Sequence, residues 1–259
     1  MTRIIICGCF GRLGSAICRL AESNIGVEVV AGVDVMPPSG GLTYPIYTDI
    51  NQCQTAADAA ICVYRPSATS DINALLEYCV NRQVPLVLCT TGLPGNIQER
   101  VQQASKKVAI LQSANMSLGI NLLTDMITRA TKLLYGAGFD IEIIEKHHNQ
   151  KLDAPSGTAY LLADAANNAL DEKLTYVHDR SRAKEKRSKQ EIGLHAIRGG
   201  TIVGEHSVIF AGQDEVIELK HSALSRDVFA VGALNAAIYI KGKPAGYYGM
   251  QDLIKNLAF

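Results

Sequence analysis

Two imidazoles and an ammonium lie within five positions of this chain, His147, His148 and Lys151, inside the run Glu145-Lys146-His147-His148-Asn149-Gln150-Lys151-Leu152-Asp153-Ala154-Pro155-Ser156-Gly157-Thr158-Ala159. An imidazole titrates near neutrality and suits proton transfer, and a neighbouring ammonium stabilises an anion. If the chain is extended at the histidines, their side chains point to opposite sides, so at most one can serve a given substrate atom. Pro155, Ser156 and Gly157 place Thr158 in the first turn of a helix, where free N–H groups and a hydroxyl can hold a carboxylate. Five such features within twelve positions point to proton transfer onto a bound anion. Taken singly, each has a bland reading as a solvated side chain or an ordinary helix start. Metal binding is the competing sharp reading. Adjacent histidines converge poorly on one ion and no H-x-x-x-H spacing occurs, so no metal is expected.

A second constellation lies near the N-terminus. Gly8-Cys9-Phe10-Gly11-Arg12-Leu13-Gly14 follows an apolar run and precedes a helical pattern. Glycine there lets the backbone turn tightly against a pyrophosphate, which then rests on the helix N-terminus. The spacing is G-x-x-G-x-x-G, a weaker signal than G-x-G-x-x-G. Asp34, about twenty residues on, stands where a carboxylate accepts hydrogen bonds from the adenosine ribose. Val35, Met36 and Pro37 follow it, with no local cation for a 2′-phosphate, so NADH is expected over NADPH. NADPH stays open through a Lys or Arg from elsewhere. Cys89-Thr90-Thr91-Gly92 and Ser113-Ala114-Asn115-Met116, small and polar after apolar strands, fall where strand ends line a nucleotide crevice.

These residues need a scaffold, and composition bounds it. The chain has 259 residues, is 47% hydrophobic, and carries 25 basic and 25 acidic side chains. That supports one or two domains and removes the field that nucleic acid or an anionic membrane would require. A small-molecule partner is expected, with no nucleic acid and no membrane. Seven scattered cysteines without a C-x-x-C pair read as reduced thiols, and no long apolar run or signal segment stands out, so a cytoplasmic location is expected.

Apolar runs alternate with helical periods in the first half. Strands are expected at 3–7, 27–33, 59–64, 85–89 and 108–112, with helices at 13–23, 70–81 and 95–106, which implies a parallel sheet with right-handed crossovers. Beyond Asn115 the texture changes. A helix over 118–135 leads to a strand at 140–145, a helix at 158–170, a charged loop at 179–191 and strands at 193–197, 201–209 and 215–221, the neighbours antiparallel. An apolar helix over 228–239 is placed to pack back on the first half. The fold class is α/β: a parallel sheet of βαβ units plus a second, open α+β layer.

The run from His147 to Ala159 resembles the signature of the 4-hydroxy-tetrahydrodipicolinate reductase (dihydrodipicolinate reductase) family. The similarity extends in matching order to Gly8–Gly14, Thr90-Thr91-Gly92, Ala114-Asn115-Met116-Ser117 and Ile197-Arg198-Gly199-Gly200-Thr201-Ile202-Val203-Gly204-Glu205-His206. The resemblance implies NAD(P)H-dependent reduction of a cyclic dicarboxylate in lysine and diaminopimelate biosynthesis. It implies that His147 is a proton donor or acceptor and Lys151 a proton donor, and that His148, Gly157 and Thr158 bind substrate carboxylates. It further implies that Gly8, Cys9, Phe10, Gly11, Arg12, Leu13, Asp34, Cys89, Thr90, Thr91, Ser113, Ala114, Asn115 and Met116 bind the dinucleotide. The Rossmann domain would be completed by the C-terminal segment (1–117 and 226–259). Residues 118–225 would form a second α+β domain with an open mixed sheet that binds substrate and assembles a homotetramer. Cys89 departs from the family's Gly-Thr-Thr-Gly, and Cys62-Val63-Tyr64-Arg65-Pro66 from its Asp-Phe-Thr-x-Pro. Two other functions fit the same fold: a Rossmann oxidoreductase acting on another imine or amino acid, and a non-catalytic NAD(H)-binding sensor. The intact proton-transfer cluster favours catalysis over the sensor.

Overall fold

A computed structural model of the chain describes residues 1–23, 26–35, 42–181 and 183–257. In chain order, β1 (Thr2–Cys7), α1 (Arg12–Glu22), β2 (Val27–Val33), β3 (Ile46–Tyr47), β4 (Ala59–Cys62), α2 (Thr69–Arg82), β5 (Leu86–Leu88), α3 (Gly95–Ser105) and β6 (Ala109–Gln112) come first. Then follow α4 (Leu118–Leu134), β7 (Asp140–His147), α5 (Gly157–Asn167), β8 (Thr175–Val177), β9 (Glu191–Arg198), β10 (Gly204–Ala211) and β11 (Val216–Ala223). The chain ends in α6 (Asp227–Ile240), β12 (Gly246–Tyr248) and α7 (Met250–Leu257). Two compact units result, 1–118 with 227–259, and 119–226.

The first unit is built on a parallel sheet ordered β12-β6-β5-β4-β1-β2-β3. Ile4, Ile5, Ile6 and Cys7 are fully buried, so β1 is covered on both faces, as a central parallel strand must be. Residues of α2 and α3 cover one face, and those of α1, α6 and α7 cover the other. Small residues let α6 sit close: a Cβ on Gly232 would lie 1.7 Å from the Met116 carbonyl oxygen. From β1 the chain passes to β2 on one side and later to β4 on the other, so the strand order reverses at the end of β1. A crevice opens at such a reversal.

The second unit has a mixed sheet ordered β11-β10-β7-β9-β8. Ile141 and Ile143 of β7, with Val208 and Phe210 of β10, turn one face onto Leu123 and Ile127 of α4 and Leu162 and Ala166 of α5. β10 pairs antiparallel with β11, as expected, and also with β7. β9, however, runs parallel to β7, and β8 parallel to β9. The excursion through α5 and β8 returns the chain to the starting end of the sheet, which permits parallel pairing. The sequence reading also omitted β3, β8 and β12, too short to show a period, and α7, although Met250, Leu253, Ile254 and Leu257 recur there at helical spacing. The expected strand over 201–209 starts only at Gly204. Among the described residues, no helix is long and apolar enough to cross a membrane.

Candidate active site

In the first unit the glycine turn joins β1 to α1. Gly8 has φ +91°, a conformation other residues seldom adopt. The Gly11 N–H donates to the Gly8 carbonyl at 3.1 Å. A Cβ on Gly14 would fall 2.1 Å from that same oxygen, so α1 can start this close only with glycine. Gly11 caps α1 without a side-chain hydrogen bond, which leaves the first-turn amides of the helix for a ligand.

Asp34 reaches this turn. Its Oδ2 accepts the Phe10 N–H at 2.9 Å and its Oδ1 accepts the Val35 N–H at 2.8 Å. Two carboxylate oxygens offer about four acceptor sites, so capacity remains for ribose hydroxyls. Met36 and Pro37 lie outside the described residues. Asp34 also borders a small cavity with Asp49, Asp71, Tyr64 and Ile50.

The two small polar segments are held from within. The Thr90 hydroxyl donates to the Tyr64 carbonyl at 2.9 Å, tying the end of β5 to the residues after β4. Val63 and Tyr64 in turn press on Gly8. Cys89 packs into the apolar layer shared with α1 and α6, and burial pushes its thiol pKa up. The Ser113 hydroxyl donates to the Asn115 carbonyl, and Asn115 Oδ1 accepts the Ser117 N–H. Met116 is buried under α6. Gly8 to Leu13, Asp34, Cys89 to Thr91 and Ser113 to Met116 thus all sit at C-terminal ends of the parallel strands or just beyond. The glycine cradle, the open helix start and the carboxylate fit a dinucleotide.

In the second unit, β7 delivers Glu145 and His147 on one side of the strand, two residues apart. Glu145 is fully buried. Its Oε2 accepts from His147 Nδ1 at 2.6 Å and from Arg198 Nη1 at 2.9 Å. Its Oε1 accepts from Arg198 Nη2 at 2.6 Å and from the Ser156 N–H at 3.0 Å. Burial alone would raise this carboxyl's pKa, but the hydrogen bonds from Arg198 and His147 outweigh it and hold it below its ordinary value. Burial lowers the pKa of His147, against the pull of Glu145, and the charges of Lys151 and Arg198 lower it further.

His206, opposite Glu145 on β10, packs edge-on against His147 with ring centroids 5.2 Å apart. Burial brings its pKa down to about 4, and its Nε2 pairs with the Ser156 hydroxyl at 3.1 Å. That hydroxyl also caps α5 by accepting the Ala159 N–H. Arg198 reaches further, donating to the Asp153 carbonyl at 2.6 Å. One guanidinium therefore pins both the carboxylate and the loop that carries Lys151.

Lys151 Nζ lies 2.8 Å from Asp153 Oδ1 and holds that carboxyl's pKa below its ordinary value. A carboxylate is thus already held by one of the groups that the sequence marks for carboxylate binding. Thr158 stands beside Gly157 in the first turn of α5. His148 leaves the strand separately, its Nε2 accepting from Arg226 Nη2 at 3.2 Å. Among the described residues, no cluster of His, Cys, Asp and Glu is arranged to hold a metal.

Two family models cover nearly all of the chain: dihydrodipicolinate reductase, N-terminus, over residues 2–116, and dihydrodipicolinate reductase, C-terminus, over residues 119–254. The chain belongs to the dihydrodipicolinate reductase family. A relative from Clostridium tetani named 4-hydroxy-tetrahydrodipicolinate reductase is 46% identical over 99% of this chain and 98% of its own length. Another of that name, from Caldanaerobacter subterraneus subsp. tengcongensis, is 49% identical over 99% of both. The solved structure of a dipicolinate-bound dihydrodipicolinate reductase from Paenisporosarcina sp. TG-14 shares the fold, with TM-score 0.79 at 22% identity over 97% of this chain and 99% of the other.

Sequence reasoning assigned no role to Glu145, Arg198, His206 or Arg226. One signal was available for Glu145: it stands two residues before His147 in a strand, so both side chains must share a side. Arg198 and His206 lie inside the quoted run 197–206, but nothing local in it says what they touch.

Proposed function

We propose that the chain is a 4-hydroxy-tetrahydrodipicolinate reductase of lysine and diaminopimelate biosynthesis, and that His147 and Lys151 handle its protons. The observation that carries this reading is the buried cluster around Glu145, with an imidazole, an ammonium and a helix start on one loop, in a chain of this family. The overall reaction converts 4-hydroxy-tetrahydrodipicolinate, NAD(P)H and a proton to tetrahydrodipicolinate, NAD(P)⁺ and water. The nicotinamide dinucleotide, when bound, supplies hydride from its C4.

The chain's own residues do the rest. Lys151 Nζ, the Gly157 and Thr158 amides and His148 with Arg226 offer donors to the two carboxylates of a cyclic substrate. A substrate carboxylate takes over from Asp153 on Lys151. Nε2 of His147 exchanges the proton at the ring position that gains electron density, and Lys151 stabilises that density and gives a proton in turn. Gly8, Cys9, Phe10, Gly11, Arg12 and Leu13 cradle the pyrophosphate, Asp34 binds the ribose, and Cys89 to Thr91 with Ser113 to Met116 border the remaining nucleotide.

The cofactor is NADH by preference. Asp34 meets a 2′-phosphate with charge of its own sign, and its cavity adds Asp49 and Asp71 with no Lys or Arg among the described lining residues. Residues 1–117 with 226–259 act as the dinucleotide-binding domain, and 118–225 as the substrate-binding and oligomerisation domain of a cytoplasmic homotetramer. The sheet face opposite α4 and α5, with Ile144, Ile209, Ile197 and Val216, is the surface for assembly; Ile197 and Val216 are exposed on it.

The test is a coupled assay in which freshly generated 4-hydroxy-tetrahydrodipicolinate is offered with each cofactor. Substrate-dependent oxidation, faster with NADH, supports the reading. No oxidation with either cofactor rejects the activity, and faster use of NADPH rejects only the preference.

A further inference from the structure

We propose that Glu145, clamped by Arg198, is the positioning residue that fixes His147 with its hydrogen on Nδ1 and leaves Nε2 as the nitrogen that exchanges the substrate proton. The proposal rests on the reading of His147 as the acid-base group and goes beyond it to the residue that sets the ring's tautomer and orientation.

Four hydrogen bonds converge on the Glu145 carboxylate, from Arg198 Nη1 and Nη2, the Ser156 N–H and His147 Nδ1. An ionised carboxylate accepts and cannot donate. The atom that faces it at 2.6 Å must therefore carry the hydrogen, and His147 is held as the Nδ1–H form. A buried carboxylate is costly unless paired and fully hydrogen-bonded, and here it is both. Residues 53 positions apart in sequence supply that pairing.

The other ring nitrogen is set by the backbone. His147 Nε2 lies 3.1 Å from where a Cβ on Gly204 would stand, so glycine at the start of β10 leaves the ring its place. His206 closes one edge of the imidazole. The charged groups facing His147 are then Glu145 on its own strand, Arg198 on β9, and Lys151 in the following loop, with His206 on β10.

The test needs no variant at first. Long-range ¹H–¹⁵N spectra of the wild-type protein at pH 8, with His147 assigned by its loss in H147Q, should show a protonated Nδ1 and a bare Nε2. The opposite tautomer overturns the proposal outright. In E145Q, a near-isosteric change, the tautomers should mix, kcat should fall about tenfold to hundredfold, and NADH affinity should be unchanged. The basic limb of the rate profile should also move to lower pH, because the group that raises the His147 pKa is gone. An E145Q enzyme with the wild-type tautomer and profile overturns the proposal too. If H147Q itself keeps full activity, the reading of His147 fails, whichever tautomer is seen.

Discussion

His147 Nδ1 stands 2.6 Å from Oε2 of Glu145, a carboxylate with no solvent exposure. Burial nonetheless leaves the imidazole with a lowered pKa, the carboxylate opposing rather than reversing the effect. A proton donor must be protonated to act, so kcat/KM is expected to fall as pH rises through a value below 6.5, the ordinary imidazole value. The limb in kcat should lie at higher pH, since a bound dicarboxylate stabilises the imidazolium. Rates measured from pH 5 to 9 at fixed ionic strength check both limbs. A kcat/KM profile flat below pH 7.5 contradicts the donor role.

Acid should weaken the fold through His206. Its folded pKa is about 4 against 6.5 for a free imidazole. Between those values the unfolded chain binds the proton and the folded chain does not, so stability is intact above pH 6.5 and falls as pH drops toward 4. The loss is on the order of 3 kcal/mol at the low end. Urea midpoints of wild type and H206Q at pH 7 and pH 5 test this: the variant should show the smaller drop. The carboxylate of Asp58, held down to about 2 by the Arg3 amide with Lys241, titrates in a lower window and should not blur the comparison.

Gly14→Ala should damage the nucleotide site far more than Gly11→Ala. The added carbon at position 14 meets the Gly8 carbonyl oxygen at 2.1 Å, whereas at position 11 it stands 3.3 Å away. G14A is expected to cost about 1–3 kcal/mol of stability and to weaken NADH binding at least tenfold, as the turn must open to relieve the clash. G11A should change binding by less than about threefold. Isothermal titration and urea melts of both variants decide the matter.

Asp34 serves the turn and, on this account, the ribose. Replacing it with Asn keeps one acceptor for the Phe10 N–H but removes the charge. NADH should bind about tenfold more weakly, the worth of a hydrogen bond to a charged group. NADPH should lose less, or gain, so the NADH/NADPH ratio of kcat/KM is expected to narrow. An unchanged ratio in D34N would remove Asp34 from cofactor choice.

Legibility in the sequence followed the range of the interaction. The isoleucine run of β1, the glycine turn and Asp34 form one contiguous βαβ pattern, and each element lies where local period and turn chemistry put it. Short strands such as β3 and β12 carry too few residues to show a period, so the edges of the first sheet were invisible. The parallel pairing of β9 with β7 was unreadable for a different reason, since it depends on where α5 and β8 return the chain. The candidate site divides the same way. His147, His148, Lys151 and the α5 start share one loop and declared themselves. Arg198 and His206 reach Glu145 and His147 only by sheet pairing across about fifty to sixty residues, which no local pattern records.

The most direct measurement is the turnover of freshly generated 4-hydroxy-tetrahydrodipicolinate by wild type, H147A and K151A at saturating NADH, with cofactor affinity measured in parallel. Each variant should bind NADH as wild type does while its kcat falls about a hundredfold to ten-thousandfold. Either variant turning over at the wild-type rate would contradict the proton-transfer role given to that residue.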